Sequence, residues 1–146
     1  MASLSQAVIM AIQDKIGVLS GIKAAPDYLP ENEQPFPFVI AYEGPGLWKF
    51  GVQGEKQSLL TIKIELHVAR KDLPRDVAQA VFYSDTIPNA IMDGMLDDQL
   101  GGTVETIGDI ETSGLVFLKY YTAQGEGEHI GYIFTVRDVK IRSNIT

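Results

Sequence analysis

Apolar and polar residues alternate most strictly between Ser58 and Ala69. Leu60, Ile62, Ile64, Leu66 and Val68 fall on one side, with Leu59, Thr61, Lys63, Glu65 and His67 on the other. A period of two predicts a strand with one buried face. At roughly 3.3 Å per residue it would span about 40 Å, roughly twice the usual strand length. That length predicts a hairpin arm reaching past its own domain. Near the N-terminus the period changes. Leu4, Ala7, Val8, Ala11, Ile12 and Ile16 recur at helical spacing, Ser3 with Gln6 fits a capping box, and Gly17 and Gly21 mark the end.

Pro26, Pro30, Pro35 and Pro37 forbid a regular helix over residues 24–37, which read as an extended connector. Phe38–Tyr42 reads as a strand. A stretch containing Gly44, Gly46, Gly51 and Gly54 follows and holds Trp48 and Phe50. Asp72 is a good N-cap for a second helix, with Pro74 in its first turn. Its expected inner stripe is Val77, Ala80, Val81, Ser84 and Ile87. Pro88 should kink or restart it, and Ile91, Met92, Met95 and Leu96 continue the apolar face. Gly101 and Gly102 end the segment. Thr103–Ile107 predicts a short strand. Leu115–Thr122 and Ile130–Ile141 predict a second long hairpin turning over Gln124–Glu128. This order predicts an α+β fold. An antiparallel or mixed sheet would carry two long hairpins, with two main helices packed on one face. No repeat or linker divides the chain, so residues 1–146 read as a single domain.

With 146 residues, a domain buries roughly 70% of the surface its unfolded chain exposes. It needs neither disulfides nor a structural metal. The absence of cysteine excludes thiol catalysis and thiolate metal sites and fits synthesis in a reducing cytoplasm. The first residues lack a secretory pattern, and no apolar run approaches the ~18 residues of a membrane span. Twelve Lys and Arg stand against nineteen Asp and Glu, a net charge of −7. That balance argues against tight binding of a phosphate backbone. The charge is also uneven. Asp76 to Leu118 holds eight acidic residues and no Lys or Arg, whereas residues 56–75 hold five basic and two acidic ones. Opposite segments of this kind suit solubility and could also let one subunit complement another.

The sequence holds little recognisable chemistry. His67 and His129, the two histidines, have no metal-ligand spacing and read as surface residues. Asp97 with Asp98, and Asp109 with Glu111, are the densest carboxylates. They lack a glycine-punctuated calcium loop and a neighbouring basic partner in sequence, so they read as solvated. Gly44-Pro45-Gly46 precedes no helix, and Gly125-Glu126-Gly127 puts an acid where a phosphate would sit. No Gly-x-Ser-x-Gly elbow occurs. We therefore expect no catalytic, cofactor or metal site, and a protein that is not an enzyme. A small-molecule-binding or enzymatic α+β domain, its groups assembled in space, is the alternative from another class. Trp48 and Phe50, flanked by Gly46 and Gly51, either fold back on the core or anchor a partner.

The layout resembles the tail terminator (tail completion) proteins of long-tailed bacteriophages. An amphipathic helix opens the chain. A proline-rich approach, Gln34-Pro35-Phe36-Pro37-Phe38-Val39, leads into a strand. A glycine-containing hairpin and the long strand Leu59–Ala69 follow. Then come a helix over Pro74–Leu96, a Leu-Gly-Gly-Thr-Val step at Leu100–Val104, and a long terminal hairpin. The resemblance implies a homohexameric ring, made in the host cytoplasm and built into the virion at the head-proximal end of the tail tube. Its partners would be other copies of itself, the tail tube protein and a head or neck connector. DNA would pass through the bore without specific binding, and no membrane would be involved. A head-completion or other neck ring is the nearby alternative. For the subunit interface the candidates are Trp48, Phe50, Lys56, Lys63, Arg70, Lys71 and Arg75. For an acidic bore they are Asp97, Asp98, Asp109 and Glu111.

Overall fold

In the computed structural model, two long antiparallel strands form the spine of a sheet that has seven strands among the described residues. The structure describes residues 4–30, 34–50, 56–72, 74, 77–122 and 125–141; for 4, 48–50, 56–58, 121–122 and 125–126 the description is of the backbone. In chain order the elements are α1 (Leu4–Gly17), β1 (Phe38–Glu43), β2 (Leu47–Phe50), β3 (Lys56–Arg70), α2 (Val77–Gly102), β4 (Val104–Thr106), β5 (Ile110–Thr112), β6 (Val116–Thr122) and β7 (Gly125–Ile141). The fold is α+β, with both helices in one core with one face of the sheet.

The spine strands are β3 and β7. β1 pairs along residues 62–67 of β3, and β2 along residues 56–59. On its other side β3 pairs with β7 from Leu59↔Lys140 to Arg70↔His129. β7 is flanked in turn by β6, β5 and β4. Much of the length of β3 is therefore absorbed inside the sheet, and only its end overhangs. The β2–β3 hairpin extends beyond the β7 pairing at one end. The β6–β7 hairpin extends beyond the β3 pairing at the other, with pairing kept to Thr122↔Gly125.

The alternating set Leu60, Ile62, Ile64, Leu66 and Val68 faces the helices, as the period of two requires. The other spine strand keeps its apolar side inward only with a bulge. Between Leu60↔Val139 and Ile62↔Val136 strand β7 carries one extra residue. Asp138 lies there at φ 56°, and the inserted residue lets both Val136 and Val139 reach the core. Against this layer pack Val8, Ile12 and Ile16 of α1 and Ile87 and Ile91 of α2. Each such side chain stabilises by about 1.5–3 kcal/mol relative to exposure. The Gln13 amide nitrogen donates to the carbonyls of Pro26 and Val39, both at 2.9 Å, tying α1 to the connector and to β1.

Helix α2 departs from the sequence expectation twice. The chain stays helical through Pro88, and the departure comes at Asp98–Gly101, where Gln99 and Leu100 both adopt φ 53°. Leu100 is fully buried and folds back so closely that a Cβ on Gly94 would meet its methyl at 2.7 Å. The turn is held by Gly101 N donating to Asp98 Oδ1 at 3.1 Å and Thr103 Oγ1 donating to the Leu100 carbonyl at 2.7 Å. The inner stripe is also narrower than expected. Ala80, Ile87 and Ile91 are buried, but Val81, Met92 and Leu96 face outward beside Phe82.

Candidate functional site

The sheet face away from the helices carries the least expected feature. Phe38, Ile40 and Tyr120 form a second small core there, with Phe36 and Ala24 packed against it. The connector is laid onto the edge of β1 by Val39 N donating to the Ala24 carbonyl at 2.9 Å and Lys23 N donating to the Pro37 carbonyl at 2.8 Å. Its aromatic residues thereby cover positions that strand alternation assigns to solvent.

Under that cover lie both histidines, and the surface reading of each is corrected. His67 is 0% and His129 2% exposed. Their Nδ1 atoms face each other at 2.8 Å. The His67 Nε2–H donates to Glu65 Oε1 at 3.0 Å, and the Tyr42 hydroxyl donates to Glu65 Oε2 at 2.5 Å. The result is a chain of acid–base groups from β1 through β3 to β7. Phe38 stacks on His67 with centroids 4.6 Å apart, and Tyr120 stacks on His129 at 4.8 Å. Burial alone pushes the Glu65 carboxyl up. The hydrogen bonds from His67 and Tyr42, with the charge of His67, outweigh it and hold the group below its ordinary value. Burial, reinforced by the hydrogen bond to Glu65 and its charge, pushes the Tyr42 phenol well above its ordinary value.

A cavity of about 690 Å³ lies nearby between the connector, the end of β3 and α2. Lys23, Phe36, Arg70, Gln79 and Tyr83 contribute to its wall. Phe36 also touches His129, with ring centroids 4.9 Å apart, so this ring stands between cavity and histidines. Among the described residues, no group of three or more His, Asp or Glu is placed to hold a metal ion.

The candidate interface residues are dispersed. Trp48, Phe50 and Lys56 lie on the β2–β3 hairpin, in register as Trp48↔Ser58 and Phe50↔Lys56; their side chains lie outside the described residues, as does all of Arg75. Lys63 Nζ donates to Thr135 Oγ1 at 3.1 Å on the same sheet face as Glu65. Arg70 is opposite His129 in the β-ladder. Lys71 pairs with Glu128 at 2.9 Å and lies over the Phe117 ring at 4.7 Å.

The acidic candidates have basic neighbours that the local sequence does not disclose. Lys15 Nζ is 3.9 Å from both Asp97 and Asp98. Arg137 donates to Glu111 Oε2 at 2.6 Å, which lowers the carboxyl and raises the guanidinium. The Asp109 carbonyl accepts from Arg137 N at 2.8 Å. These acids thus occupy two separate places, the end of α2 and the β5–β7 edge. Sequence reasoning missed the Tyr42–Glu65–His67–His129 chain because Tyr42, the Glu65 and His67 pair, and His129 lie far apart in sequence. The available signal was the aromatic pair flanking Pro37, which predicts a cover over some part of the sheet.

The chain matches no family model and no curated protein. No helix among the described residues is long and apolar enough to cross a membrane.

Proposed function

We propose that this chain is a ring-forming structural protein of a long-tailed phage virion. It sits at the head-proximal end of the tail tube, ends tube polymerisation and joins the tail to the head or neck. The observation that carries this reading is the offset of the two hairpins. They overhang the common β3–β7 register at opposite ends of one sheet. A subunit with different projections at its two ends suits head-to-tail contacts, which close into a ring when the rotation between copies allows. Extended hairpins can also add strands to a neighbour's sheet. The outward residues Val81, Phe82, Met92 and Leu96 give α2 an apolar stripe beside Asp85 and Asp93. A stripe of this kind suits burial against another protein surface. The overall layout, from the proline-rich approach to the terminal hairpin, supports the same reading.

On this proposal the protein works by fit and not by catalysis. Its partners are further copies, the tube protein and a neck connector, with DNA passing through the bore. Electron microscopy of particles assembled without the protein tests it. The expected result is tails of uncontrolled length or tails detached from heads. Normal-length, head-joined tails would overturn it. Binding to the ends of purified tail tubes separates a terminator from another neck ring, and native mass spectrometry should find six copies.

A further inference from the structure

We infer that His67 and His129 form a proton-sensitive latch, which fastens the base of the β6–β7 hairpin to the sheet and releases it on acidification. The two Nδ1 atoms lie 2.8 Å apart. That gap holds one proton, as N–H on one ring and a lone pair on the other. A second proton would set two N–H groups against each other. The closed pair therefore holds at most three protons on its four ring nitrogens, whereas two separated rings in acid hold four. Opening takes up at least one proton. The closed form is accordingly favoured above about pH 6.5, where free imidazoles are neutral. Below that value the ratio of open to closed rises about tenfold per pH unit.

The surroundings decide which side moves. His67 sits on β3, flanked by β1 through Phe38 and by β7 through Gly131. It is stacked on Phe38 and bonded to Glu65 of its own strand. His129 belongs to the last β3–β7 pair, opposite Arg70, and β7 beyond it pairs with β6. Both rings are closed to water, so separating them requires the hairpin to lift with Tyr120 on His129. The charged and titratable groups around the pair are Tyr42 from β1, Glu65 and Arg70 from β3, Tyr120 and Lys119 from β6, and Glu128 from β7. Lys71 closes the set through its bond to Glu128. Despite its burial, the Glu65 carboxyl is held below its ordinary value by its hydrogen bonds from His67 and Tyr42, so its titration does not coincide with the latch.

The latch concerns the isolated chain and stands or falls separately from the ring reading. Hydrogen exchange of the full chain between pH 7.5 and 5.0, corrected for the intrinsic exchange rate, tests it. In the wild type, protection of residues 116–122 and 125–131 should fall about tenfold per unit below pH 6.5, while residues 60–66 keep theirs. His129→Phe keeps an aromatic ring but cannot titrate, and its hairpin protection should be flat over the same range. Unchanging wild-type protection, or the same fall in His129→Phe, overturns the latch. Should that variant not fold, ¹⁵N NMR of wild-type imidazoles decides. Scalar coupling between the two Nδ1 nuclei should be present at pH 7.5 and lost at pH 5.0; its absence at pH 7.5, or persistence at pH 5.0, overturns the proposal.

Discussion

Gly131 lies so close to Leu66 that a Cβ built on it would stand 1.8 Å from the Leu66 carbonyl oxygen. The contact joins the two spine strands beside His67, the ladder partner of Gly131. Backbone cannot give way there without breaking strand pairing. Gly131→Ala should therefore destabilise the fold by about 3 kcal/mol, at the upper end of ordinary overpacking. For a domain of this size that corresponds to a fall in Tm of about 10 °C. Thermal unfolding followed by circular dichroism checks it. A shift below about 2 °C would mean that the strands separate more easily than their register suggests.

Glu65→Gln should reveal how Tyr42 is held. The phenol is raised first by burial, then by its hydrogen bond to Glu65 and the negative charge there. The amide removes the charge and leaves the burial, so Tyr42 should ionise at a lower pH than in the wild type. Absorbance at the phenolate band reads this as one tyrosine's amplitude moving down in pH. The same variant has a stability consequence with a defined sign. The Glu65 carboxyl is held below its ordinary value of 4.5, so its contribution is complete above about pH 5. It is lost as pH falls through the lowered value. The wild type's stability advantage over Glu65→Gln should shrink in that acid window, and an advantage that grew there would contradict the assignment.

The sequence foretold these elements unequally, for physical reasons. The first helix and the long strand were legible because their apolar residues repeat at one period and face one core. Val8, Ile12 and Ile16, or Ile62, Ile64 and Leu66, need no distant information. The histidines were not legible in the same way. Alternation assigns His67 to the outer face, and whether that face is wet depends on a connector folding over it. Phe36 and Tyr120 supply the cover from 31 residues before and 53 after His67, a separation that no local pattern encodes. Helix α2 misled for the opposite reason. Val81, Met92 and Leu96 fit the apolar period, but they fill a broad stripe of which the fold buries only part. Pro88 stayed within the helix, and the left-handed Gln99–Leu100 step followed from burying Leu100 against Gly94, a tertiary cause.

Asp138 offers a cleaner test of local conformation. Its φ of 56° belongs to the left-handed region, which aspartate tolerates and β-branched residues resist. Asp138→Val should cost about 1–2 kcal/mol, and Asp138→Gly should be close to neutral. Chemical denaturation of the two variants side by side separates the backbone effect from loss of the carboxylate, which both share. Equal stabilities would place the cause in the side chain and leave the bulge without conformational strain.

Leu96 bears on assembly. It is 86% exposed, yet it extends the outward stripe of Val81, Phe82 and Met92 along α2. A leucine so exposed contributes little to folding, and replacing it should leave stability within about 0.5 kcal/mol. Leu96→Ser should therefore unfold at the wild-type temperature while associating less, if the stripe is buried between copies. Sedimentation velocity over a range of concentrations, with thermal unfolding as the control, reads both quantities on one preparation. Unchanged association with unchanged stability would take this stripe out of the subunit contact and leave the hairpins as the remaining candidates. Weakened association together with a lowered Tm would instead indicate that the substitution disturbs the helix itself. Leu96 adjoins Asp97 and Asp98, which lie near Lys15 of α1. Lys15→Ala therefore serves as the companion variant. It disturbs that end of the helix pair while leaving the stripe intact, and it should change stability without changing association.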